Sequence, residues 1–358
     1  MSHTRFKLLM VLLVVILVLA SLLFALLTYW LGQQVLPADH GTACQRHGVP
    51  WVWRAGGIAG RGYNGRGAAG DSAAGVIKVK KVAIVTDSSA TVPHDLAQEL
   101  DIRVVPILLT LDGYTARDGV DLSHEEVYRM LRDTRHPPST SSPSVGDFLQ
   151  TYVAAAQEAA AIVSIHLSPK LSGTYNAAAT ASRLIDDVPI RVLDSHSAAI
   201  GQGLVVLAAA RVAAAGADLE AVVARAEEVA SRVNLLAILG TLEYLHRGGR
   251  IGGAAALLGS MLQIKPVLSV VDGEVTVCAR PRTQSKAVKT MLAHMAGQVD
   301  GHEVHAAVLH AALPQEAEAL RQTLERRFDC VELHVASLTP VMGVHTGPGV
   351  LGLVYYVD

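Results

Sequence analysis

One pattern, repeated three times, constrains the fold of this chain more than any other feature. Residues 82–86 (Val-Ala-Ile-Val-Thr), 161–167 (Ala-Ile-Val-Ser-Ile-His-Leu) and 190–193 (Ile-Arg-Val-Leu) are short apolar runs rich in β-branched residues, the composition of buried strands. A loop carrying small polar residues follows each run: Asp87-Ser-Ser89, Leu171-Ser-Gly-Thr-Tyr-Asn176 and Asp194-Ser195. Helix patterns come next. Pro93 and Asp95 suit the first turn of a helix running to Leu100. Residues 177–185 have helix-forming composition, and long Ala-rich helices continue to about Arg232. Strand and helix in alternation imply a largely parallel sheet. Residues 103–111 read as a further strand, edge or irregular because of Pro106. Residues 136–144 read as a Pro/Ser loop leading into a helix over 145–160.

The pattern changes at Val233. Residues 234–239 read as a strand, and the glycine-rich run Leu242-Glu-Tyr-Leu-His-Arg-Gly-Gly-Arg-Ile-Gly-Gly253 leads into a short Ala/Leu helix. Residues 266–271 and 274–278 flank Asp272-Gly273, the signature of a hairpin. Strand, helix, strand and strand signals then run through residues 304–309, 314–327, 331–335 and 350–357. The expected fold class is α/β with two domains. Residues 78–232 form a largely parallel α/β/α domain, and residues 233–358 form a mixed or antiparallel α/β domain.

Two segments precede them. Residues 8–31 are almost wholly apolar and uncharged, reaching the ~20 residues that cross a bilayer as a helix. Arg5 and Lys7 lie before this run, and Tyr29-Trp30 lie at its far end as an interfacial anchor would. Residues 1–32 are therefore expected to be a single-pass membrane anchor, with its side unassigned. Residues 33–77, rich in Gly, Ala and Arg, are expected to be a flexible linker. A translation start near residue 76 would instead place the folded part in the cytoplasm.

Totals exclude some functions. A net charge of −2 gives no electrostatic case for nucleic acid, and aromatics at 4% leave few platforms for stacking bases. Cys44, Cys278 and Cys330 make no C-x-x-C and no closed disulfide framework. His302, His305 and His310 cluster around a strand, but His305 and His310 fall on opposite faces, and no spacing matches a zinc site. The run Gly248-Gly-Arg-Ile-Gly-Gly253 fits neither nucleotide-binding pattern. No metal and no cofactor are expected.

The strand–Ser/Gly loop–helix at 161–185 occupies the usual ligand crevice of an open α/β sheet. Backbone N–H groups with the hydroxyls of Ser172 and Thr174 suit a carboxylate or phosphate. The same residues also suit a plain helix cap. A hydrolase is a second functional reading, with Ser172 as nucleophile, His345 as base and Asp87 or Asp194 orienting it, although no Gly-x-Ser-x-Gly surrounds Ser172.

Taken in order, the motifs resemble the DegV family of fatty-acid-binding proteins, which includes the acyl-binding subunit of bacterial fatty-acid kinase. The resemblance runs from Val82 to the C-terminus. It is carried by Thr86-Asp-Ser-Ser89, Ser139-Thr-Ser-Ser-Pro-Ser144, Leu171-Ser-Gly-Thr-Tyr175, Asp194-Ser195, the Leu242–Gly252 glycine-rich run, Ile264-Lys-Pro266, Arg282-Thr283 and Gly343-Val-His-Thr-Gly-Pro-Gly349. It implies a lipid-binding carrier rather than an enzyme, with a long-chain fatty acid between two α/β domains and a separate ATP-dependent kinase as partner. Thr140 and Ser172 would bond the carboxylate. His345 and Arg250 would neighbour the headgroup, and Arg282 would meet the kinase. Asp87 and Ser88 would be loop contacts. Ser142 stands where the family commonly has Gln.

Overall fold

The computed structural model describes residues 80–122, 126–127, 129–130, 138–260 and 264–358. The anchor and the linker expected over residues 1–77 lie outside the described residues. Among those that are described, no helix is long and apolar enough to cross a membrane.

The three strand runs become β1 (Ala83–Asp87), β6 (Ile162–His166) and β7 (Ile190–Asp194). With β2 (Ile102–Val105) they form a four-stranded sheet in the order β2-β1-β6-β7, parallel throughout. Every residue of β1 and β6 is buried, as a parallel sheet covered on both faces requires. Helices α1 (His94–Glu99), α2 (Val145–Ala156) and α3 (Thr174–Ser182) belong to this half. A reciprocal cap opens α2: the Ser144 hydroxyl accepts from the Asp147 N–H at 3.1 Å, and the Asp147 carboxylate accepts from the Ser144 N–H at 2.8 Å. Phe148 and Tyr152 on α2 bury completely against Val85, Val105 and Ile162.

The later strands are β8 (Asn234–Ile238), β9 (Val267–Val271), β10 (Glu274–Ala279), β11 (Val304–Ala311), β12 (Cys330–Ser337) and β13 (Val350–Val357). They pair in the order β10-β9-β8-β13-β11-β12. Only the β11–β12 pair is parallel, so this sheet is mixed, as expected. Helices α7 (Gln284–Val299) and α8 (Pro314–Arg327) cover one face, where Met291, Met295, Leu320 and Leu324 meet Leu353 and Tyr355.

Between the sheets lie α4 (Ile200–Ala214) and α5 (Leu219–Arg232). Residues 200–210 of α4 are all buried. A helix apolar all round has no solvent face, and here it packs on β1 and β6 from one side and β11 and β13 from the other. By contrast, α5 buries Val222, Val223, Ala226 and Val229, a single stripe.

The structure corrects the sequence reading in two places. Residues 103–111 are not one strand: the chain turns at Pro106, leaving β2 in the parallel sheet and β3 (Leu108–Leu111) in another. Residues 139–141 are not loop but β5 (Ser139–Ser141). With β4 (Tyr114–Arg117) they form a small antiparallel sheet, β4-β3-β5. Pro106 cannot donate a ladder hydrogen bond, which marks the break. The pairing partner of β5 lies about thirty residues upstream, beyond any local pattern.

An ion cluster joins α4 to the mixed sheet. The Glu332 carboxylate on β12 accepts from both terminal nitrogens of Arg211, faces His305 Nδ1 at 2.8 Å, and contacts His334 Nε2 at 2.6 Å. His305 Nε2 reaches Asp358 at 3.0 Å, and the ring stacks on Tyr356 at 4.5 Å between centroids. Burial would raise Glu332, but Arg211 and the two histidines together hold it well below the usual carboxylate range; Glu332 in turn raises His305. The Glu332 contribution is present above its unfolded pKa and is lost as pH falls through the lowered value. The His305 contribution is present below its ordinary value and is lost as pH rises through the raised one. Glu332→Gln should cost roughly 1–2 kcal/mol at pH 6, discounted for the partial exposure of Arg211. In urea titrations the gap to the wild type should narrow toward pH 3. A gap unchanged between pH 6 and pH 3 would exclude this linkage.

Candidate functional site

In the order β2-β1-β6-β7 the chain leaves β1 for β2 on one side, while β6 and β7 lie on the other. The C-terminal ends of β1 and β6 therefore flank a topological switch point, where open α/β sheets bind ligands. Ser89 after β1, and Leu167, Leu171 and Ser172 after β6, line a cavity there. The mixed sheet supplies the opposite wall through Leu235, Leu268, Val275 and Leu309. The cavity and its mouth together hold about 1040 Å³ of space between atoms, and most of the lining is aliphatic.

Its polar end is built from four segments of the chain. Thr140 on β5 meets His345 Nε2 at 2.7 Å. His345 is in the last turn of α9 (Pro340–Thr346), and Val341 and Val344 of that helix pack on Ile107, Leu109 and Leu111. Since Leu109 pairs with Thr140 across the small sheet, the same sheet positions the helix and the threonine. Ser172 Oγ lies 3.1 Å from Ser142 Oγ and 2.9 Å from Thr174 Oγ1, and accepts from the Thr174 N–H at 3.3 Å. Arg250 follows α6 (Glu243–Arg247). Its Nε–H donates to the Leu171 carbonyl at 3.0 Å, and Nη1 donates to the Gly248 carbonyl, so it braces the loop that carries Ser172. Gly248 permits the closeness of α6 and α9: a Cβ there would stand 2.6 Å from His345 Nδ1.

Burial, with a smaller push from the Arg250 charge, lowers His345 to about 4. Its ring is therefore neutral at pH 7, and Nδ1 has no partner. In the tautomer protonated at Nε2, the ring donates to Thr140, whose own hydroxyl proton is then free for an acceptor. The hydroxyls of Thr140, Ser142 and Ser172, with the Arg250 guanidinium nearby, form a donor-rich end to an apolar chamber. Beside them lies a second pocket, lined by Tyr244 and Arg247 together with Thr140, Arg250 and His345 of the cavity.

Four of the residues expected at the site, Thr140, Ser172, Arg250 and His345, are thus brought together. Asp87 and Ser88 do not line this cavity; they line a separate cleft near α1. The completely buried Asp87 carboxylate accepts from the Ser89 N–H and the Gln202 side-chain N–H, both at 3.0 Å, and from the Ser89 hydroxyl; His166 Nδ1 lies at 2.8 Å. The Ser88 hydroxyl accepts from the Ile107 N–H at 3.1 Å. The tight 3-10 turn Ser88–Ala90 that follows β1 turns Ser89, not its neighbours, to the cavity. Ser142, by sequence a side chain of the Pro/Ser loop, reaches Ser172. Arg282 is exposed and lines none of these spaces, and neither does Lys265.

The hydrolase arrangement is not assembled. His345 Nε2 faces Thr140, Ser172 faces Ser142 and Thr174, and Asp194 accepts from the His196 N–H. A Ser164–His166–Asp87 chain does have triad connectivity, at 2.7 and 2.8 Å. All three residues are fully buried and Ser164 is bonded by Tyr152, so it is core. His305 is held by two carboxylates. Among the described residues no three His, Cys, Asp or Glu side chains stand grouped to hold a metal.

Comparison with known proteins agrees with the motif resemblance. A DegV domain-containing protein of Streptomyces coelicolor is 39% identical over 277 residues, covering 77% of this chain and 98% of its own. One of Mycobacterium tuberculosis is 37% identical over 276 residues, 76% of this chain and 96% of its own. A fatty-acid-binding DegV family protein from Thermus thermophilus superposes with a TM-score of 0.73 at 36% identity, covering 78% of this chain and all of that one. DegV of Bacillus subtilis, described as a fatty acid binding protein, gives 0.72 at 28% identity with the same coverage. The model of the DegV family, described as uncharacterised proteins, matches residues 81–358, and the chain belongs to that family.

Proposed function

We propose that this protein binds a long-chain fatty acid in the apolar cavity and holds its carboxylate at Thr140 and Ser172. The observation that carries the reading is a chamber of aliphatic side chains ending in convergent hydroxyls, with His345 and Arg250 behind them. Relatives described as binding fatty acids, among them a stearic-acid-binding protein from Eubacterium ventriosum at 26% identity and a TM-score of 0.70, support it. The tail supplies affinity at about 0.8 kcal/mol per buried CH₂. The headgroup supplies orientation, because an ionised carboxylate is costly to bury without donors. Ser142 is a further donor in this reading.

The carrier has no catalytic group of its own. In this reading a separate ATP-dependent kinase meets the headgroup end at the pocket lined by Arg247 and Arg250, and Arg282 helps to seat it. There a carboxylate oxygen attacks the γ-phosphorus of ATP, the bond to the β–γ bridging oxygen breaks, and acyl-phosphate and ADP leave. In the same reading residues 8–31 tether the domain to a bilayer. Membrane fractionation with N-terminal sequencing tests this, and a soluble product starting near residue 76 excludes the tether.

Native mass spectrometry of the purified protein should reveal a bound fatty acid, or uptake of added palmitate; neither being seen would end the carrier reading. Thr140→Ala and Ser172→Ala should each weaken palmitate binding by about 1–3 kcal/mol. Unchanged affinity in both would move the carboxylate elsewhere. Because a nearby anion favours imidazolium, the His345 ring should titrate above about 4 in the complex. Nuclear magnetic resonance of the ring, with and without palmitate, measures this.

A further inference from the structure

Asp118 follows β4 and is 5% exposed, buried in the wall of the cleft near α1 rather than in the fatty-acid cavity. Its backbone N–H is bonded to the Ile107 carbonyl at 2.9 Å, but neither carboxylate oxygen completes a hydrogen bond. The groups close enough to favour its charged form are the hydroxyls of Ser88 and Thr339 and the backbone N–H of Val341. Thr339 and Val341 belong to the start of α9, the helix whose last turn carries His345. Thr339 makes no cap bond and its hydroxyl also lacks a partner, while Pro340 has no N–H. The first turn of α9, whose leading N–H groups have no partner within the helix, thus meets one anionic side chain.

The placement links two ends of one small unit. β3 pairs with β4, which leads into Asp118, and with β5, which carries Thr140. α9 lies on this sheet through Val341 and Val344, its start near Asp118 and His345 against Thr140. We propose that Asp118 is a positioning residue for the headgroup site: its carboxylate, set against the first turn of α9, fixes the seat from which that helix presents His345 to Thr140. The ligand consequence rests on the fatty-acid reading above, whereas the ring consequence does not.

A purely structural cap would stabilise the fold. Burial instead dominates at Asp118 and pushes it up to about 6, with a further push from Asp87. A raised carboxyl favours the protonated form in the folded state, so its stability contribution is present below the unfolded pKa and is lost as pH rises through the folded one. The ionised form is therefore retained at pH 7.5 at a cost to the fold. Asp87, Asp101 and His94 are the other titratable groups lining this cleft; the β12 side gives only Val335, Ala336 and Ser337. His345, at about 4, titrates below this window.

Asp118→Asn in the full chain separates the two roles. At pH 7.5 its thermal midpoint should equal or exceed that of the wild type. Palmitate affinity should fall by about 5–30-fold, the factor for one to two kcal/mol. Without ligand, the His345 ring should titrate well above about 4 by nuclear magnetic resonance, as its contact with Thr140 loosens. An unchanged ring titration would overturn the proposal. So would a lowered midpoint with unchanged affinity, the mark of a cap that only stabilises. If the wild type takes up no palmitate, the fatty-acid reading fails, and the ring titration alone still decides the role of Asp118.

Discussion

Asp87→Ala should cost about 3–5 kcal/mol of folding stability, the range for removing one partner from a buried charged network. Against the 5–15 kcal/mol that holds a typical domain together, this is enough to leave a large unfolded fraction in mild urea. The reason is the number of groups left behind. Ser89, Gln202 and His166 all direct polar atoms at this carboxylate, and all are fully buried. Each unsatisfied group costs about 1–3 kcal/mol when water cannot replace its partner. Gln202 belongs to α4 and His166 to β6, so the loss loosens the central helix from the parallel sheet. Asp87→Asn preserves shape and should cost less. Both losses should register in urea midpoints, while the folded fraction of Asp87→Asn keeps its palmitate affinity, since Asp87 does not line the cavity. A midpoint for Asp87→Ala within about 0.5 kcal/mol of the wild type, the ordinary range for surface changes, would refute the assignment.

The second large effect belongs to Gly273→Val. Asp272 and Gly273 form the hairpin turn between β9 and β10 with φ of 49° and 76°, the backbone of a two-residue turn in which both residues are left-handed. A Cβ at 273 would lie 1.9 Å from Ser168 Oγ and 2.6 Å from Ser168 Cβ. Ser168 is buried, and its carbonyl accepts from the N–H groups of Leu171 and Ser172 at 2.9 and 3.2 Å. The hairpin tip therefore rests on the turn that presents Ser172, and the hairpin itself walls the cavity through Leu268, Ser269 and Val275. Valine brings the left-handed penalty of about 1–2 kcal/mol and an overpacking cost of about 1–3 kcal/mol. Thermal denaturation should show that loss, and palmitate affinity should fall at least tenfold, as either the hairpin or the Ser168 turn moves aside. Glu274→Gln removes only the exposed pair with Lys170, at 3.2 Å, and should change stability by less than about 1 kcal/mol. Wild-type affinity in Gly273→Val would show that the hairpin does not close the cavity.

These effects separate what was legible in the residues from what was not. The buried strands β1, β6 and β7 could be read because each is a local β-branched run between turn residues. The β9–β10 hairpin could be read because Asp-Gly demands its own backbone. The helix α4 was visible as Ala-rich, and its burial on every side follows from having no polar stripe. Thr140, Ser172, Arg250 and His345 were named from ordered motifs, and the fold brings their side chains to one cavity. Nothing local announced β5, whose residues Ser139–Ser141 are strand only because β3 offers them a ladder. Nor could composition tell that Asp87 and Ser88 turn away from the cavity while Ser89 faces it.

Alternating apolar runs, turn residues and ordered motifs, all short-range chemistry, determined the fold class, the mixed second sheet and the family of this chain. Tertiary structure alone decided which hydroxyls converge, that Ser142 joins Ser172, that Asp87 belongs to the core, and that Asp118 meets the helix bearing His345. Those outcomes depend on contacts between residues far apart in the chain, and on which face of a loop packing leaves open; neither is encoded in any single stretch.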